Sequence, residues 1–121
     1  MDISRVEYKV IPEHRIVVAE IRGTSHDALD MFNDKFLACA SSSPYLWLNK
    51  QDEKFLMPYR MKAVAHCHVE DVFDENKGQE IALKKLSEKY NRSLNKHLYN
   101  ILHCLDNTLK RMDKYFEGRE F

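Results

Sequence analysis

The chain has 121 residues, with Lys plus Arg and Asp plus Glu both at 19 and a formal net charge of zero. That length fits one compact domain over residues 1–121, and the balance excludes both a nucleic-acid mimic, which needs an acidic excess, and a bulk basic binder of long nucleic acid. The cysteines, Cys39, Cys67 and Cys104, are odd in number and have no CxxC spacing, so a disulfide scaffold or zinc ribbon is not expected and a reducing cytoplasm is.

The N-terminal stretch MDISRVEYKV holds no apolar run of the kind that marks a signal peptide. No later stretch approaches the roughly 18 apolar residues of a membrane span, so no membrane partner is expected. Residues 5–21 read as a β-hairpin. Val6, Tyr8 and Val10 alternate with Glu7 and Lys9, Pro12-Glu13-His14 supplies the turn, and RIVVAEI is the more buried partner strand. Gly23 ends that strand. Thr24 or Ser25 then caps a helix in which Leu29, Phe32 and Phe36 share a face, and residues 41–44 stop it.

YLWL at residues 45–48 reads as a short apolar edge, followed by a polar turn at residues 49–55. Period two returns from Met57 to His68. Met61, Ala63, Ala65 and Cys67 face one side of this strand; Arg60, Lys62, Val64, His66 and His68 face the other. After Gly78 no glycine or proline occurs until Gly118, and from Leu102 the apolar steps alternate three and four, the seam of a paired helix. One helix over that span would be about 60 Å long, against a domain diameter of roughly 30 Å. Either the helix breaks at the weak formers Asn91, Ser93 and Asn95, or it stays long and buries its seam against another subunit; a break or kink is the favoured reading.

The expected fold is α+β: a small antiparallel sheet with one short helix in residues 1–72, and long C-terminal helices in residues 73–118. These helices form a helical hairpin or one kinked helix, and they supply an oligomer interface.

Chemistry concentrates in KAVAHCHVEDVFDENKG, residues 62–78. His66 and His68 project from one strand face and could chelate a metal, but nothing obliges a third ligand to converge; histidines on a solvated face are the plainer reading. Cys67 faces the alanines as a small core residue. The acidic run Glu70, Asp71, Asp74 and Glu75 offers carboxylates for acid–base work, but more simply caps the following helix through Asp71 or Asp74. Phe73 has two readings, a hydrophobic staple at the helix start or an aromatic at a pocket mouth that stacks on a flat base. Residues 84–114 are rich in Lys, and Arg92 and Arg111 are the only arginines there; guanidinium forks suit phosphate oxygens. A local basic surface on a neutral chain fits a small anion. No phosphate-binding glycine loop and no nucleophile elbow is present, and no sequence feature calls for an enzyme or a cofactor.

The order of parts, EYKVI…RIVVAEIRG, HDALD, KAVAHCH, EDVFDENKG and EIALKK, resembles the phage anti-Thoeris sponges. These are small cytoplasmic proteins that sequester cyclic ADP-ribose isomers made by TIR-domain defence enzymes of the host. The resemblance implies a sheet with C-terminal helices, a homo-oligomer built through those helices, and binding without cleavage. It also implies an aromatic stack, matched here by Phe73, and helical arginines, for which Arg92 and Arg111 are available. Some members hold cyclic oligonucleotides between subunits, and Arg60 and Lys62 on the strand face would serve such a site. Two other readings stand beside it: an inhibitor of a host defence complex that acts by protein contact, and a nucleotide-processing enzyme using His66, His68 or the acidic run.

Overall fold

In the computed structural model, which describes residues 1–36 and 54–118, the alternating N-terminal segment forms a hairpin. Strand β1 (Val6–Ile11) pairs antiparallel with β2 (Ile16–Arg22), Val6 opposite Ile21 and Ile11 opposite Ile16. The Pro-Glu-His turn is a 3-10 turn, Pro12–His14, ended by Arg15 in the left-handed region at φ 55 and ψ 44. A side chain there costs about 1–2 kcal/mol, so neighbouring contacts must hold it. Strand β3 (Arg60–His66) pairs antiparallel with β2 and completes the described sheet in the order β1-β2-β3. The helices are α1 (Asp27–Phe36) and α2 (Glu75–Glu117). The chain is therefore α+β, with an antiparallel sheet, a short helix and a long C-terminal helix.

Backbone direction in the sheet follows from one bond. The Cys67 N–H donates to the Arg15 carbonyl at 2.9 Å, so odd-numbered residues of β2 bond towards β3 and even-numbered ones towards β1. The outward backbone groups are then those of Val6, Tyr8 and Val10 on β1, and of Lys62 and Val64 on β3. The burial of β3 matches its alternation: Met61 and Ala65 are buried, while Arg60, Lys62 and His66 are exposed.

Two compact units are present. The first, Met1–Ser25 with Pro58–Ser93, holds the sheet and the start of α2. Its core is Val17, Ala19, Ile21, Met61, Ala65, Ala82, Leu86 and Tyr90. Each fully buried aliphatic side chain of this kind contributes about 1.5–3 kcal/mol. Gly78 marks a close approach of helix to sheet, since a Cβ there would stand 2.6 Å from Cγ2 of Val17. Thr24, fully buried, is not spent on capping α1. Its N–H donates to the Tyr59 carbonyl at 3.2 Å and its hydroxyl to the Pro58 carbonyl, joining the end of β2 to the approach to β3.

The second unit, His26–Met57 with Leu94–Phe121, holds α1 and the rest of α2. Ala28, Leu29, Phe32, Phe55, Met57, Leu94 and Ile101 are buried. Asn100 Nδ2 donates to the Lys54 carbonyl at 3.1 Å. Leu102, Leu109, Met112 and Phe116 of the predicted seam are exposed on α2.

Of the two outcomes weighed for YNRSLN the long helix is the one found: α2 is helical without interruption through Asn91, Ser93 and Asn95, so the favoured break is absent and no helical hairpin forms there. Tyr90, just before the weak formers, and Leu94, among them, are buried at 4% and 6% exposure. Packing of that kind outweighs propensities worth at most about 0.7 kcal/mol per residue. The apolar edge expected at residues 45–48 and the stop at residues 41–44 lie outside the described residues, as does most of the polar turn after them.

Candidate ligand-binding site

The first unit carries a cleft of about 510 Å³ where the end of β3, the linking loop and the first turns of α2 meet. His66, Cys67 and His68 contribute one wall, Asp71 to Asp74 a second, and Lys77, Gly78 and Ile81 of α2 a third. Gly78 lets the helix lie close to Val17, which forms part of the floor. The volume lies within the usual range for small-molecule sites, about 300–1,000 Å³.

Asp74 starts α2. Its Oδ1 accepts from the Asn76 N–H at 3.0 Å and from the Lys77 N–H at 3.4 Å, while its carbonyl accepts from the Gly78 N–H at 2.9 Å. Of the two capping candidates, Asp74 does the capping. This removes the staple reading for Phe73. A staple pairs the residue before the cap with the fourth helical position, and that position is Gly78, which has no side chain. Phe73 instead lines the cleft, half-buried.

Arg15 holds the loop. Its Nη2 donates to the His68 carbonyl at 3.2 Å, to the Asp71 carbonyl, and to Cys67 Sγ at 3.5 Å. These contacts offset the cost of its left-handed backbone and fix the loop that ends in Phe73. Its Nε is buried with no hydrogen-bond partner among the described residues. Sequence reasoning missed Arg15: its acceptors lie 52 to 56 residues further along the chain. It also gave no role to Lys77, the one cation among the lining Lys and Arg side chains.

The other predicted residues are placed elsewhere. Arg92 is exposed on α2 in the first unit and does not line the cleft. Arg111 is exposed on α2 in the second unit, its Nη2 donating to Thr108 Oγ1 at 3.4 Å. Arg60 and Lys62 are exposed together on β3. Arg60 Nε lies 3.5 Å from Glu20 Oε1, and Glu20 stands opposite Lys62 in the sheet. Glu20 also binds Arg22, whose hydrogen bond is the main cause holding the Glu20 carboxyl below its ordinary range. This patch is thus partly neutralised by its own carboxylate. No group of three or more His, Cys, Asp or Glu is arranged to hold a metal ion among the described residues. No helix among them is long and apolar enough to cross a membrane.

Among the described residues the arrangement offers a flat ring, two imidazoles, one ammonium and two carboxylates around a concave space. Protein-family models, curated proteins and solved structures yield no match to the chain.

Proposed function

We propose that the protein sequesters a small anionic cyclic nucleotide of the cyclic ADP-ribose isomer class and holds it unchanged, as the anti-Thoeris sponges that it resembles do. The observation carrying this reading is Phe73: half-buried on a cleft of about 510 Å³, at a position where it has no staple partner. A base stacked on that ring gains about 1–3 kcal/mol. A charge-assisted bond from Lys77 to a phosphate oxygen adds about 1.5–3 kcal/mol. Asp71 and Asp74 share the cleft, and capping of α2 occupies the Asp74 carboxylate. Arg92 and Arg111 enter the proposal through the resemblance alone, as do Arg60 and Lys62 for a second site that takes cyclic oligonucleotides between subunits. The protein acts in the cytoplasm of the host cell, where such signals are made; Cys67 and Cys104 are free thiols, as a reducing compartment allows.

The test incubates purified protein with cyclic ADP-ribose isomers, removes unbound nucleotide, and heats the complex. Intact ligand is expected in the supernatant. Cleaved products would replace sequestration with catalysis, and absence of bound nucleotide would remove the reading.

A second reading, an inhibitor of a host defence complex acting by contact, is favoured by a different observation. Leu102, Leu109, Met112, Tyr115 and Phe116 are all exposed on α2. The same row suits a homo-oligomer seam. Co-purification of a host protein, together with no thermal shift from any nucleotide, would select this reading.

A further inference from the structure

The two edges of the sheet are treated differently. On β3, the outward carbonyls of Lys62 and Val64 accept from the ammonium groups of Lys89 and Lys85, each at 3.3 Å. Long α2 side chains thus take the outward carbonyls to which another strand would donate. Beta-sheet edges are commonly protected by lysines in this way. On β1, the Val6 N–H closes onto the Ile3 carbonyl. The outward Val6 carbonyl, and both backbone groups of Tyr8 and Val10, have no partner among the described residues. Among the described residues one edge of the sheet is thus guarded and the opposite one open, and the open edge can take an occupant.

The sequence of β1 says which one. Two copies of Val6–Ile11, run antiparallel about a two-fold axis at Tyr8, place Glu7 opposite Lys9 of the other copy, and Lys9 opposite its Glu7. Val6 faces Val10, and Tyr8 faces Tyr8. The backbone agrees with this register. The Tyr8 pair faces outward and exchanges both N–H···O bonds, while each Val10 N–H meets the other copy's free Val6 carbonyl. The Glu–Lys pairs then fall at the non-hydrogen-bonded positions, where side chains come closest. A shift of the axis by one residue would make Glu7 or Lys9 face its own kind, or present backbone groups already bonded to β2. We propose that β1 is a self-pairing edge, joining a second copy of this chain into a continuous six-stranded sheet, three strands from each. This interface is independent of the cleft and of α2.

The test reads the β1 amides of the full chain by NMR hydrogen exchange at several concentrations. Tyr8 and Val10 N–H, which point away from β2, are expected to exchange roughly tenfold more slowly or better in concentrated than in dilute samples. Association through α2 does not imitate this, because the readout is local to β1. Glu7→Lys and Lys9→Glu each place like charges opposite one another, and each variant alone is expected to lose the protection while keeping the wild-type circular dichroism spectrum. Mixing the two variants restores opposite charges across the strands and is expected to restore protection in a one-to-one complex. Concentration-independent exchange at Tyr8 and Val10 in the wild type, or no recovery on mixing, would overturn the proposal.

Discussion

Arg15 sits in the left-handed region at φ 55 while its guanidinium meets acceptors on His68, Asp71 and Cys67. Replacing it separates the two effects. Arg15→Ala keeps the backbone cost and loses the contacts, so it is expected to lower stability by about 2–3 kcal/mol in urea titration. Arg15→Gly removes the backbone cost as well, and should be the more stable of the two by about 1 kcal/mol. Phe73→Ala is expected to weaken nucleotide affinity about ten- to hundredfold by calorimetry, from the loss of stacking, with an unchanged melting profile. Arg92→Ala and Arg111→Ala probe the contacts that the resemblance implies; unchanged affinity in both would confine the site to the cleft. At Phe73 the sequence left two readings open, a staple or a pocket mouth, and its place on the cleft wall became visible only with the folded loop and the cap at Asp74. Arg15 was not legible, because nothing local to PEHR names acceptors more than fifty residues away.

Among the elements, the helix–sheet contact at Gly78 is closely constrained. Gly78→Ala would press its Cβ against Val17, and a clash of this kind costs about 1–3 kcal/mol. Val17→Ala removes the methyl groups in the way, so the double variant is expected to lose less than the two single changes summed, measured as a double-mutant cycle in denaturant. The strands were legible from period two in β1 and β3 and from β-branched content in β2: Val17, Ala19 and Ile21 are buried on β2, and Met61 and Ala65 on β3. The continuity of α2 was not. Asn91, Ser93 and Asn95 pointed to a break by propensity, and the buried neighbours Tyr90 and Leu94 decided otherwise. Local preference is readable residue by residue, whereas which turns are packed is a property of the folded chain. The helix cap shows the same limit: either Asp71 or Asp74 fitted the pattern, and only the hydrogen bonds to Asn76 and Lys77 distinguish them.

Across the whole molecule the charges cancel at pH 7, and acid upsets that balance by protonating the carboxylates, those with depressed folded values last. Glu20 is held below its ordinary range, first by its hydrogen bond from Arg22, and Asp2 by its hydrogen bonds from Ser4. A carboxyl whose folded value is depressed stabilises the fold fully above the unfolded value, and loses that contribution as pH falls through the folded one. Glu20→Gln is therefore expected to be less stable than wild type at neutral pH, with the gap closing in acid, as thermal melts across a pH series would show. The Lys85 and Lys89 contacts with β3 carry a different liability. Acylation would remove both positive charges and weaken their hold on the Val64 and Lys62 carbonyls. A protein acetylated at these sites should accordingly become prone to ordered aggregation, detectable with an amyloid dye, while the unmodified chain stays in solution.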